Sequence, residues 1–304
     1  LEQQGMLIYL ASTSGSSSPG FYYWDNTTIS WLSFGNKTLR LNDLLDANSD
    51  NDGTKNGSSV YVGLNSGDLD DLTDNKNVGL GFETLKFNIN GSQNIALGYK
   101  ALSENVSGNN NVGIGFEALK NTTANRITSV GTQTLSNNTT GNNNIAFVYQ
   151  AMQNNTIGYN NQALGYQALQ NNISGVTNQA SGFQSLRNNT TGSRNTAFGY
   201  QTLYANEDGT RNTALGTKAL QKNTSGNNNL ASGYQALQMN TTGVNNTALG
   251  YASLLSNTQG TNNTSVGYAA LNKNTDGDFN VASGFQALYK NVSSSFNSAF
   301  GFQS

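Results

Sequence analysis

Apolar and polar positions return along most of this chain with one fixed spacing. Aligning Asn94-Ile95-Ala96-Leu97-Gly98-Tyr99 with Asn161-Gln162-Ala163-Leu164-Gly165-Tyr166, Asn212-Thr213-Ala214-Leu215-Gly216 and Asn246-Thr247-Ala248-Leu249-Gly250-Tyr251 exposes a single unit whose glycine marks the register. That position falls at 81, 98, 115, 131, 148, 165, 182, 199, 216, 233, 250, 267, 284 and 301, and the thirteen intervals are all 17 residues except one of 16. Val148 is the one site of the 14 that is not Gly, and the short interval lies between Gly115 and Gly131, around Asn125-Arg126. Four residues before the glycine stands Asn in 13 of 14 copies (Asn94, Asn111, Asn161, Asn195, Asn212 and Asn246 among them), and two before it a small residue, mostly Ala. An aromatic follows the glycine in 12 of 14 copies, Leu or Met152 stands at plus four, Asn recurs at plus seven and Gly at plus ten.

Within each unit the segment from minus four to plus one alternates as a half-buried strand does, and Asn and Gly clusters close it on both sides. One coil of a parallel β-solenoid fits this grammar. A helix-pair repeat needs at least about 30 residues and strong helix formers, so a 17-residue unit rich in Asn and Gly excludes it. Strands hydrogen-bonded coil to coil advance about 4.8 Å per coil, which makes 14 coils a rod of about 65 Å for residues 77–304. Seventeen residues at about 3.3 Å enclose at most about 56 Å of path, a thin coil with room for Leu and Ile side chains. The Asn four before the glycine is expected to stack into a ladder whose amides bond to one another or to turn backbone. The aromatics after the glycine (Tyr99, Phe116, Tyr166, Phe183, Tyr200, Tyr234, Tyr251 and Tyr268) form a second apolar column, too large to leave wet. Identical repeats associate about an axis parallel to the rod, so these residues are interface candidates for self-association. Binding of sugars by the same rings is the alternative.

Residues 1–76 differ in texture: they hold the single Pro, both Trp and ten of the 17 acidic residues. Met6-Leu7-Ile8-Tyr9-Leu10 reads as a strand and Phe21 to Trp31 as a β-hairpin turning at Asp25-Asn26, which makes residues 1–40 a small β-rich collar. Residues 41–76 read as an acidic linker and a degenerate first coil at Val60-Tyr61-Val62-Gly63-Leu64. The chain begins without Met and stops inside a repeat, so it is expected to be a piece of a longer polypeptide.

Composition narrows the chemistry. Gly and Asn together occupy 84 of 304 positions, charged residues are 11%, and there is no His and no Cys. Disulfides, thiolate chemistry and the commonest general base are excluded, and no cofactor is implied. A net charge of -2 gives no footprint for nucleic acid, and no apolar run approaches the about 20 residues of a membrane span. Asp46, Asn48, Asp50 and Asp52 with Gly53 resemble a calcium loop, but Ser59 stands where a bidentate Glu would close it, so the segment reads as an acidic turn and no metal is assigned. Asp68, Asp70, Asp71 and Asp74 read as a solvated cluster. Acids within the repeats form no recurrent column, which argues against a glycosidase pair. Asn-x-Ser/Thr triplets at Asn105, Asn138, Asn189 and Asn240 fall out of the repeat grammar rather than marking glycosylation. The position three before glycine is too irregular for an ice-binding threonine array.

The core Asn-x-Ala-aliphatic-Gly, as in Asn94 to Gly98 and Asn111 to Gly115, resembles the head repeats of trimeric autotransporter adhesins of the YadA type. The resemblance covers residues 77–304 and implies a left-handed β-roll, a homotrimer, and an extracellular place on a bacterial cell surface. The longer coil, with its aromatic after the glycine, is similar to repeats of large surface and tail-fibre proteins of Bacteroidetes and their phages. The expectation is a non-enzymatic adhesive fibre segment that projects binding sites toward a host-surface glycan or protein receptor. A tail fibre of a phage or contractile injection system, used for host attachment, is the alternative, and a polysaccharide-degrading tailspike the third reading.

Overall fold

A computed structural model of the chain describes residues 59–71 and 75–304 in full and, before them, the backbone of four strands. Two compact units appear, Leu1–Ala47 and Asn48–Ser304. In the first, β1 (Leu7–Leu10), β2 (Gly20–Asp25) and β3 (Ser30–Ser33) form an antiparallel sheet in the order β1-β2-β3. Tyr9 lies opposite Phe21, Trp24 opposite Trp31, and Asp25 opposite Ser30, so the hairpin and the strand before it both form. Asp46, Asp50, Asp52 and Asp74 lie outside the described residues, as does the side chain of Asn48.

The second unit is the parallel β-solenoid that the repeat implies. Its sheet has 16 strands in consecutive order: β4 (Ala47–Ser49), β5 (Val60–Val62), and fourteen more from Val78–Leu80 to Ser298–Phe300. No helix occurs among the described residues. Each strand is three residues long, and from β5 on each pairs in parallel with its copy one coil on, as Gln162, Ala163 and Leu164 do with Gln179, Ala180 and Ser181. A three-residue strand turns only its middle side chain inward, so Ala96, Ala163 and Ala214 are fully buried while Ile95 and Leu164 face out. The aliphatics beside the small residue are therefore outside, and the room for a large side chain goes to the Leu at plus four. The interior of a typical coil holds one Leu, small residues at minus two and plus three, and two Asn.

Tight turning is achieved with residues in the left-handed region. In the coil of Gly165, Asn160, Gln167 and Leu169 have φ of 57°, 53° and 50°, and Leu169 is wholly buried. Such a conformation costs a non-glycine residue about 1–2 kcal/mol. Backbone bonds between coils offset it: Gln167 N–H donates to Tyr149 O (3.0 Å) and Leu169 N–H to Ser185 O (3.0 Å). The pattern repeats coil after coil, so the whole circumference is a ladder and not only the strand.

The two irregular coils show how the period is held. Val112 pairs with Thr128, 16 residues on, and the missing residue is removed from the turn Thr122–Ala124, where Ala124 N–H donates to Thr122 Oγ1 (3.1 Å). Asn125 and Arg126, around which the sequence placed the deletion, keep their columns: Asn109 N–H donates to Asn125 Oδ1 (2.8 Å) and Asn125 N–H to Asn142 Oδ1 (2.7 Å). At the other end Val60 pairs with Val78, 18 residues on, so β5 is a rung of the sheet. Here Tyr61 takes the inward position that Ala holds elsewhere, buried to 1% exposure. Gly67 stands where the other coils carry Leu or Met152, because a Cβ there would lie 2.6 Å from the Tyr61 ring. The Tyr61 hydroxyl bonds to the Asp70 carboxylate, which also accepts from Asn75 Nδ2 at 3.1 Å. Burial first, and the carboxylate second, push the phenol far above its ordinary pKa. Asp70, read from sequence as solvated, is a buried partner of the end plug.

Candidate interaction face

Two asparagine ladders close the interior. At minus four, Asn195 N–H donates to Asn178 Oδ1 (3.0 Å), Asn195 Nδ2 to Gly209 O (2.8 Å), and Asn212 N–H to Asn195 Oδ1 (3.0 Å). The same arrangement holds Asn94, Asn111, Asn161 and Asn246, all fully buried. Each side chain ties a strand start to the turn at plus ten across its own coil, and its oxygen caps the N–H of the coil that follows. At plus seven a second ladder runs in parallel, with Asn206 Nδ2 donating to Asn189 Oδ1 (2.7 Å) and to Gly209 O (3.0 Å). In the sequence this column shows only as a recurring Asn followed by Ser or Thr, and the closed coil is what stacks it into a ladder. Asn105, Asn138, Asn189 and Asn240 are 0% exposed. Expressed through a eukaryotic secretory route, the folded chain is expected to carry no glycan at these four positions, and peptide mass mapping that found them occupied would contradict their burial.

The register glycines stand over one another along one edge. Gly98, Gly115, Gly165, Gly199, Gly216 and Gly250 have φ between 117° and 149°, and a Cβ on Gly98 would come within 2.7 Å of Gly115 O. Just past that edge the chain presents its aromatics outward. Tyr99, Phe116, Tyr166, Phe183, Tyr200, Tyr234, Tyr251 and Tyr268 are 39–48% exposed. They stack with centroids 5.0–5.3 Å apart and planes within 5–13°, in runs Phe82 to Phe116, Tyr149 to Tyr200 and Tyr234 to Phe302. Thr132 and Thr217 separate the runs, so one column of twelve is in fact three of three, four and five. Beside it the outward residues at minus one, among them Leu80, Leu164, Phe198, Leu215 and Val266, add a second exposed apolar column. Stacked rings cover one another's faces and offer edges to the outside, which suits packing against another surface better than stacking on a sugar ring.

The far side of the ring column is polar. Gln150, Gln167, Gln184 and Gln201 form an amide ladder at plus two, each donating to the preceding member at 3.0–3.1 Å or to Gln133. Three ion pairs stand in its first coils: Lys86 and Lys100 contact Glu83 at 2.7 and 3.3 Å, and Lys120 contacts Glu117 at 3.1 Å. The Lys86 hydrogen bond holds the Glu83 carboxyl below the usual range, and the Gln133 amide does the same for Glu117. A general acid needs the opposite shift. Among the described residues there is no group of three or more acidic side chains placed to hold a metal ion. Comparison with protein-family models, with curated proteins and with solved structures gives no match to this chain.

Proposed function

We propose that the chain is a non-enzymatic segment of an adhesive fibre, working as a homotrimer whose copies share the aromatic face. One observation carries this reading: the interior of the solenoid is complete without the aromatics, which nevertheless form three ordered, half-exposed runs on one face of the repeat array. A face of fourteen rungs, about 65 Å long and about 15 Å across its outward columns, offers about 1,000 Å² per copy, above the about 800 Å² per partner of a stable interface. The occupant that matches its rung spacing along that whole length is a second copy of the same array. Three copies, and the left-handed sense of winding, follow from the likeness to trimeric adhesin head repeats. A rigid trimer of this kind would project receptor-binding parts from a bacterial surface and gain avidity from repeated weak contacts. A phage or injection-system tail fibre would use the same architecture for host attachment.

Light scattering coupled to size separation is expected to give three times the mass of one chain. A monodisperse single chain at micromolar concentration defeats the proposal. Incubation with capsular and cell-wall glycans is expected to release no reducing ends, and release would favour a tailspike instead.

A further inference from the structure

A third amide ladder runs along the outside of the rod, and the coil itself does not require it. Asn121, Asn137, Asn154, Asn171 and Asn188 occupy the position six past the register glycine in five successive coils, where Phe87 and Glu104 stand before them and Ala205, Lys222 and Met239 after. The same turn therefore closes with residues of very different kinds at that place. Asn137 Nδ2 donates to Asn154 Oδ1 (3.0 Å), Asn154 Nδ2 to Asn171 Oδ1 (3.0 Å) and Asn171 Nδ2 to Asn188 Oδ1 (3.1 Å), all at or near the surface. A side-chain amide has two N–H donors and two acceptor lone pairs. The ladder uses one of each, so every inner member keeps one N–H and one lone pair for an outside partner. Two residues further along, Thr123, Thr139, Thr156 and Thr190 donate their hydroxyls to carbonyls of the next coil at 2.9–3.3 Å. With those hydroxyls engaged, and with Ile157 and Ile173 54% and 46% exposed, the flank of the strip is apolar. Asn154, Asn171, Thr156 and Ile173 border one open groove. Neither column carries a charge from Asn121 to Thr190, and an exposed carboxylate closes each end, Glu104 at one and Glu207 at the other.

We propose that this strip binds a neutral, extended, β-linked polysaccharide laid along the rod, one sugar to a rung. A sugar hydroxyl both donates and accepts, which is what the amide of each rung offers, and the methyl and Ile flank meets the C–H groups of the sugar ring. In an extended β-linked chain successive pyranoses advance by about the height of one coil, so the contacts stay in step along the five rungs. An α-linked chain coils away from a straight strip. An extended peptide, with about 3.3 Å per residue against about 4.8 Å per coil, falls out of step. The ladder bonds hold the amides in place before the ligand arrives, so little side-chain freedom is lost on binding. The carboxylates at the two ends turn away acidic chains. This inference rests on the adhesive part of the reading above and not on the association of copies. The strip begins five residues beyond the ring in each coil, outside the aromatic and minus-one columns. It gives the rod weak contacts of its own, of the kind that multivalency sums into avidity.

Calorimetric titration of the full chain with cellohexaose and with chitohexaose is expected to show binding of at least one of them, and no binding of maltohexaose or of hexagalacturonate. Asn154→Ala with Asn171→Ala removes two amides at the surface, so the fold is expected to persist, with unchanged far-ultraviolet dichroism, while affinity falls about tenfold or more. Asn171→Asp keeps the shape, removes the donor and is expected to act in the same direction. Tyr166→Ala, on the aromatic face, is expected to bind as the parent does. A parent that binds neither hexaose overturns the proposal, as does unchanged affinity in both Asn variants. Loss confined to Tyr166→Ala overturns it too and moves the sugar to the rings. A single chain by mass that binds cellohexaose defeats self-association and leaves the strip standing, and a trimer that binds neither hexaose does the reverse.

Discussion

Gly182→Ala is expected to divide the solenoid into two separately unfolding halves. The Gly182 φ is +126°, and a Cβ would lie 2.4 Å from Gly199 O and 2.8 Å from its carbonyl carbon. Both obstacles are backbone of the next coil, so no rotamer change relieves them. The coil must shift, and the bonds it makes forward, such as Leu186 N–H to Thr202 O at 2.9 Å, shift with it. A loss of about 4 kcal/mol or more is expected from strain and clash together. In an array where each coil contacts only its neighbours, a weakened junction uncouples what lies on either side, and one denaturation transition becomes two. Urea titration followed by far-ultraviolet dichroism reads this directly, and a parent-like single transition would refute it. Gly113→Ala is the control. Gly113 sits at the inward strand position that Ala holds in most coils, and its nearest obstacles are 3.2 Å away, so a change within about 1 kcal/mol is expected.

The second large effect is expected for Asn195→Ala. The buried Asn212 N–H loses its acceptor outright, while the Gly209 carbonyl and Asn178 Oδ1 each lose one of two donors and keep Asn206 Nδ2 and the Asn195 N–H respectively. A buried group left unsatisfied costs about 1–3 kcal/mol and each further hydrogen bond lost about 1 kcal/mol, so the sum is about 3–5 kcal/mol, before any cavity contribution. Asn137→Ala removes an amide that also bonds to its neighbour in the next coil, Asn154 Oδ1 at 3.0 Å, but does so at the exposed surface. Water replaces that partner, and a loss within about 0.5 kcal/mol is expected. Equal losses in the two variants would mean that the interior ladder is no more than a by-product of the coil.

Much of this architecture was legible along the chain. The 17-residue spacing gave coil length and strand position, since nothing but equivalent rungs repeats so strictly with Asn and Gly at fixed offsets. Ala two before the glycine and Leu four after it belong inside, as their constancy implied. The Asn four before the glycine forms the ladder its position suggested. Other features were not legible, each for a physical reason. Ile95 and Ala96 are both apolar, and only the backbone direction of a three-residue strand decides that the smaller goes in. Leu169 at φ 50° contradicts every local preference of leucine, and is held there by its neighbours' hydrogen bonds. Tyr61 reads as a mismatch in the repeat until Gly67 and Gly79 are seen to leave the space its ring occupies.

The sequence by itself determined that the chain winds in equal parallel coils and which residue types recur at each corner, because a period is a property of order along the chain and needs no knowledge of contacts. Only the tertiary structure decided which side of each strand is dry, how two asparagine columns line a thin core of Leu and Ala, and that the rings stack with their edges outward. Those outcomes depend on how little space a 17-residue coil encloses, which is fixed when the backbone closes on itself and not before.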